Sequence, residues 1–299
     1  MRRQRGMVLL PVTLALAIVG TLAYAMTRDG AMSASAVDAQ YDTDRARYLA
    51  EAGVNLLKWR NEQSSCNSAQ GFSSPFTGLE GGTISSSSVT NKKPILAMTL
   101  TATTDRGTVN KVVLDEKTGV VLHDLSKKTE ITISAQNGSD GFIRADPLTG
   151  NTTLAYLETT DDKAHGLIKF DLGPDRTGAM VTEATLRLYL GSVQSTQAGA
   201  LGVHRMLRAW PFLMNWTNGW TNPGGDFAPL PSNLYATPLA AGTAYTTRID
   251  GLVQDWTTLP PTNLGLLLKP AGLVAARFNS FEATANQPQL FLRYYPLCK

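Results

Sequence analysis

The sequence has 299 residues, enough for two folded domains beyond one helix. Its formal net charge of +3 is too mild to argue for nucleic acid as a partner, and part of it comes from arginines at the very start. Charged residues make up only 17%, and the two cysteines, Cys66 and Cys298, are an even number that permits one disulfide in an exported chain.

Arg2, Arg3 and Arg5 precede an uncharged run from Met7 to Met26. About twenty such residues can cross a bilayer as a helix, and the arginines hold the preceding end in the cytoplasm. The pattern predicts that the helix continues over 7–62. Tyr41, Tyr48, Ala52, Leu56 and Trp59 recur at helical spacing and predict its apolar stripe. Such a helix is roughly 80 Å long at 1.5 Å per residue. A second reading stays open. A basic start, an apolar core and the small-residue site Ala23-Tyr24-Ala25 also fit an ordinary secretory signal, with the mature chain beginning near Met26.

Arg5-Gly6, followed at once by the apolar run, resembles the leader of a type IV prepilin. The resemblance implies a leader over 1–6, cleavage by prepilin peptidase after Gly6 and methylation of the new N-terminus at Met7. Tyr48-Leu49-Ala50-Glu51-Ala52-Gly53 resembles the segment of PilX-type minor pilins and of the large pseudopilin of type II secretion. Pilins usually carry glutamate where this chain has Pro11, and those minor proteins also lack it. Pro11 suits the first turn of a helix starting at Met7, where most N–H groups have no acceptor. The partners implied are other major and minor pilins, prepilin peptidase and the inner membrane before assembly. The localisation implied is an inner-membrane protein with a periplasmic part, later in an extracellular filament or its tip.

Residues 63–125 read as a small β head. A Ser- and Gly-rich loop leads to candidate strands at 83–90, 93–104, 108–115 and 120–125. Leu96, Met98, Leu100 and Ala102 alternate with Ile95, Ala97, Thr99 and Thr101, a two-sided strand fit to pack on the helix. Residues 126–130 form a short polar linker.

Residues 131–299 read as all-β, with alternating strands such as 166–172, 185–190 and 289–295. A short helix is expected at 251–256, with Asp250 as its N-cap and Leu252, Val253 and Trp256 inward. The segments Asp140–Arg144, Lys169–Leu172, Ala184–Tyr189, Asn215-Trp216, Trp220–Phe227, Ile249–Trp256, Gly265–Leu268 and Phe278–Glu282 resemble, in order, the DNRLRE-type domain. That jelly-roll module of secreted bacterial proteins is related to alginate-type carbohydrate-binding modules. The expected class is therefore α+β: a long pilin helix on a small antiparallel sheet, then an all-β jelly-roll sandwich.

No catalytic set emerges. His123, His165 and His204 lie apart in different surroundings, and no metal-binding or phosphate-binding motif is present. An enzyme is not expected, nor a cofactor. A calcium site using Asp226 or Glu282 is compatible with oxygen chemistry, but no dense acidic loop supports it. For function, Trp216 and Trp220 beside Asn215 and Asp226 form the candidate glycan site, because aromatic faces stack on sugar rings while amides and carboxylates bind hydroxyls. Trp256 is assigned to the core. Cys66, just past the helix, and Cys298, just past the last strand, are expected to form a disulfide across the membrane. The reading these residues support is a minor pilin near a filament tip, displaying an adhesive or glycan-binding jelly roll toward a surface polysaccharide. The alternatives are a type II secretion tip pseudopilin and a secreted carbohydrate-binding module with an ordinary signal peptide.

Overall fold

The structure, a computed structural model, describes residues 9–67, 69–77, 79–134, 138–146, 149–160, 163–193, 199–210, 215–236, 240–272 and 275–299. The chain divides into two compact units, residues 1–61 with 67–121 and residues 62–66 with 122–299. The class is α+β, as the sequence predicts.

In the first unit, helix α1 (Leu9–Gln63) packs its later half on a four-stranded antiparallel sheet of β1 (Gly82–Lys92), β2 (Ile95–Thr104), β3 (Val109–Leu114) and β4 (Val120–Val121). Strand β2 is central and pairs with all three others. Its Leu96, Met98, Leu100 and Ala102 are buried, as their alternation predicts. The helix stripe differs from expectation. Tyr41, Tyr48 and Trp59 are exposed. The face that packs carries Ala46, Leu49, Ala50, Gly53 and Leu57. A Cβ at Gly53 would lie 2.7 Å from Leu100 Cδ1 and 2.8 Å from Ile84 Cγ2, so small residues let the helix approach the sheet closely. Asp42 joins that face because its Oδ2 accepts from the Thr104 and Thr108 hydroxyls.

From Val19 to Val37 the described side chains of α1 lie open, Leu22, Tyr24, Met26 and Val37 among them. Among the described residues no helix is long and apolar enough to cross a membrane. Gly6 and Met7 lie outside the described residues. Pro11 stands near the start of α1.

Among the described residues the second unit contains twelve strands in one antiparallel network that curls on itself. They are β5 (Thr129–Ile133), β6 (Gly138–Arg144), β7 (Thr149–Asn151), β8 (Tyr156–Thr160), β9 (Ala164–Phe170), β10 (Met180–Val193), β11 (Gly199–Arg205), β12 (Asn233–Ala236), β13 (Thr243–Arg248), β14 (Leu266–Gly272), β15 (Ala275–Asn279) and β16 (Gln289–Tyr295). One layer runs β6-β9-β14-β11-β12 and the other β13-β10-β16-β5, with β8 and β15 carrying the sheet from the first layer to the second. Between the layers lies the main core, including Ile168 and Phe170 of β9, Leu186, Leu188 and Leu190 of β10, Leu268 of β14 and Leu292 of β16. Helix α2 (Asp250–Thr258) closes one end with Leu252, Val253 and Trp256.

Two local expectations are corrected. Thr129 and Glu130, read as linker, begin β5, because Glu130 stands opposite Arg293 of β16 and accepts from its Nε at 2.6 Å. Asp250 does not cap α2. Its carboxylate accepts instead from the Ala184 N–H of β10 at 2.6 Å and so ties the helix to the sheet. Strand β15 stops at Asn279 because Ser280 turns away, its hydroxyl donating to Leu154 O at 2.7 Å.

Cys66 and Cys298 are joined in a disulfide, with Cα atoms 5.8 Å apart and both residues buried. The seat is prepared by backbone bonds, since Cys298 N donates to Leu122 O at 3.1 Å and Asp124 N to Pro296 O at 2.9 Å. Glu62, also buried, accepts from His123 N at 2.9 Å.

Candidate functional site

The tryptophan loop at 215–227 packs on the outer face of β6, β9 and β14. Ile143, Leu167, Met206, Trp220 and Leu267 form a second core there, with Trp210, Trp216 and Phe227 packed against it. Trp220 is only 8% exposed, and its indole N–H donates to Asn215 O at 2.8 Å. Trp216 is half-buried, with its ring 4.7 Å from that of His165. Asn215 uses its side-chain oxygen on its own loop, accepting from Thr217 N at 3.0 Å and Asn218 N at 2.7 Å. The Asp226 carboxylate accepts from Thr221 N at 2.8 Å and Asn222 N at 3.1 Å, and these bonds, Thr221 first, hold its pKa below the usual carboxylate range. The four residues named from the sequence do come together, but Asn215 Oδ1, the Trp220 indole N–H and the Asp226 carboxylate are bonded within the loop itself. A groove of about 580 Å³ beside them is lined by Arg208, Asn222, Asp226 and Phe227.

The histidines are bound to carbonyls. His165 Nδ1 lies 2.7 Å from Gly224 O, His204 Nδ1 2.8 Å from Ala228 O, and His123 Nε2 3.0 Å from Gly178 O. His165 and His204, apart in sequence, both flank the Phe227 ring, at 6.0 and 5.1 Å. Burial pushes the His204 pKa down. Among the described residues no group of three or more His, Cys, Asp or Glu is placed to hold a metal ion, so neither Asp226 nor Glu282 belongs to one.

A second concavity has no counterpart in the sequence reading. A cleft of about 720 Å³ opens at the end of the unit where α2 docks. Four separate segments line it: Ser139 of β6, Lys169 of β9, the turn from Asp171 to Thr177, and Trp256 to Asn263. Asn263 is positioned by its side-chain N–H, which donates to Phe170 O at 2.8 Å. Arg176 is folded back onto Leu172 O, and the Asp171 carboxylate accepts from Gly173 N at 2.8 Å. Gly173 has φ +68, a left-handed conformation that favours glycine and lets the turn bring Arg176 back. Three buried polar atoms of the lining residues make no hydrogen bond among the described residues: Trp256 Nε1, Arg176 Nε and Asn263 Oδ1. The residue pattern that hid this cleft was its dispersal along the chain. The one local signal was Trp256, whose indole N–H enters the core with no partner nearby in sequence.

Next to Ser139, Asp140 is 3% exposed. Its Oδ2 accepts from Phe281 N at 2.8 Å, while Oδ1 has no partner among the described residues. Burial, with the adjacent charge of Glu282, pushes the Asp140 pKa up to about 8.

Residues 132–294 match the model of carbohydrate-binding module family 96, a span covering β6 to β15 whole and most of β5 and β16. No curated protein matches the chain.

Proposed function

The chain belongs to carbohydrate-binding module family 96, and on that premise we propose that its second unit binds an acidic surface polysaccharide while the first unit serves as its carrier. The match over 132–294 is the observation that carries this reading, because it takes in both layers of the sandwich and α2. The class of sugar rests on the likeness of this domain to alginate-type modules. The module is a binding module, and its task is adhesion rather than catalysis. Its test is an array of surface and wall polysaccharides probed with the exported full chain. Binding to none of them would sink the proposal.

For the carrier, the reading favoured is a minor pilin near the tip of a type IV filament. Support comes from the 55-residue α1, open from Val19 to Val37 and packed on a four-stranded sheet along its later half. A helix gains most of its stability from tertiary packing, so an open stretch of this length calls for a cover such as other helices or lipid. The prepilin-like Arg5-Gly6 and the Tyr48–Gly53 segment add to it. Prepilin peptidase would then act between Gly6 and Met7, and the chain would pass from the inner membrane into a filament with other pilins. A type II secretion tip pseudopilin shares every one of these features. Sequencing the mature N-terminus decides between carrier and signal peptide: Met7 supports the pilin reading, and a start near Met26 overturns it.

A further inference from the structure

We propose that the first unit carries two complementary surfaces, a groove at Tyr41 and Tyr48 on α1 and the outer face of its sheet at Val109, Lys111 and Val113, and that one copy of this chain docks head to tail on a second through them. The inference rests on neither the sugar-binding reading nor the carrier reading above. The groove, of about 470 Å³, lies where α1 meets Leu79 and Glu80. Its apolar wall is Tyr41, Tyr48, Leu49, Ala52 and Leu79. Tyr41 is 63% exposed and Tyr48 69%. Three charged residues complete the lining, Asp44, Arg45 and Glu80. Arg45 is engaged with Asp105, Nη1 to Oδ1 at 3.1 Å. Asp44 and Glu80 are exposed and have no ion-pair partner among the described residues. The groove is therefore apolar with an acidic rim.

The second surface lies on the other side of the sheet. Leu96, Met98, Leu100 and Ala102 of β2 are buried on the side that α1 covers, so Ile95, Ala97, Thr99, Thr101 and Thr103 point away from it. Strand β3 sets Val113 opposite Thr99, Lys111 opposite Thr101 and Val109 opposite Thr103. Val109 is 58% exposed and Val113 61%, and Val121 of β4 extends the row opposite Ile95. Lys111, between the two valines, is exposed and has no ion-pair partner among the described residues. Lys92, on the same face, is paired with Glu116. Single exposed apolar residues are ordinary, but a row of them beside an unpaired charge on each of two faces marks a contact surface.

The two surfaces match in pattern and in length. Tyr41, Asp44 and Tyr48 read apolar, acid, apolar over about 10.5 Å at 1.5 Å per residue. Val109, Lys111 and Val113 read apolar, base, apolar over about 13 Å at 3.3 Å per residue. A two-fold pairing would set groove on groove, acid against acid, or sheet on sheet, lysine against lysine. Head-to-tail docking sets Lys111 of one copy between Asp44 and Glu80 of the other and buries the valines against the tyrosines. The contact is heterologous, because its two halves lie on opposite sides of one sheet, and it leaves an open surface at each end. One groove and one strand row make a small interface, so the association is weak and concentration-dependent.

The experiment is sedimentation of the full chain in detergent over a range of concentrations, with charge swaps at these exposed positions. The wild type should grow in mass with concentration beyond a dimer, less so at high salt. Lys111→Glu alone, and Asp44→Lys with Glu80→Lys, should each weaken association by about tenfold, with unchanged melting temperatures. The chain carrying all three swaps should associate as the wild type does, a recovery that a purely structural role would not produce. A wild type that stays monomeric throughout overturns the inference. So does Lys111→Glu without effect, or a triple swap that fails to recover. None of these results bears on polysaccharide binding by the second unit.

Discussion

Replacing Asp140 by asparagine should change how the stability of the second unit depends on pH. Asp140 is 3% exposed, accepts one hydrogen bond from Phe281 N at 2.8 Å and has no partner for Oδ1 among the described residues. Its pKa rises from 3.8 to about 8, mainly through burial and further through Glu282. The unfolded chain releases this proton near pH 3.8, and the folded chain keeps it until about pH 8. Between those values the folded state binds more protons, so stability is fully present below the lower value and falls as pH rises toward the upper one. The slope is at most about 1.4 kcal/mol per pH unit. Summed from 3.8 to pH 7, the loss is on the order of 4 kcal/mol, an upper bound because any hydration of the carboxyl lessens it.

Asparagine has the same shape, can accept the Phe281 N–H, and does not ionise. The Asp140→Asn chain should therefore show a flatter profile than the wild type from pH 5 to 8 and be the more stable of the two at pH 8. Urea unfolding followed by tryptophan fluorescence measures this, since Trp210, Trp216, Trp220 and Trp256 all belong to the second unit. Parallel profiles for the two chains, or a wild type that gains stability from pH 5 to 8 while the variant does not, would refute the reasoning.

Gly53→Leu should lower the melting temperature of the first unit, because even its Cβ would stand 2.7 Å from Leu100 Cδ1, and overpacking of this kind costs about 1–3 kcal/mol. Cys298→Ser should lower the unfolding midpoint under non-reducing conditions by an amount on the order of 5 kcal/mol in the chain-entropy model, since the bond closes a sequence separation of 232. With reductant present, the two chains should unfold alike. Trp220→Ala should destabilise the second unit by about 3–5 kcal/mol, because the ring is 8% exposed in the outer core. A loss below about 1 kcal/mol in urea melts would show the tryptophan to be a surface residue instead.

What the sequence made legible is what neighbouring residues decide together. Strand β2 was readable because Leu96, Met98, Leu100 and Ala102 alternate, and the strand at 289–295 was read to its true limits for the same reason. The disulfide was readable from two cysteines placed at element ends. The buried face of α1 was not. Tyr41, Tyr48 and Trp59 have the spacing of a core stripe, and period alone does not say which of two stripes a sheet will cover. The sheet takes the side with Ala46, Ala50 and Gly53, where backbones approach closely and β2 side chains fill the space. Size was mistaken for burial.

The candidate site shows the same limit at longer range. Asn215, Trp216, Trp220 and Asp226 stood out because they are close in sequence, and that closeness lets Trp220 bond to Asn215 O while Asn215 and Asp226 take the N–H groups of neighbouring loop residues. Lys169, Arg176, Trp256 and Asn263 are spread over three segments, and only Trp256 stands out in its own neighbourhood. Only the docking of α2 against the turn after β9 brings them to one cleft. Local polar groups that bond to each other make a stable loop. Distant ones brought together by the fold form a concavity that no single stretch of the sequence announces.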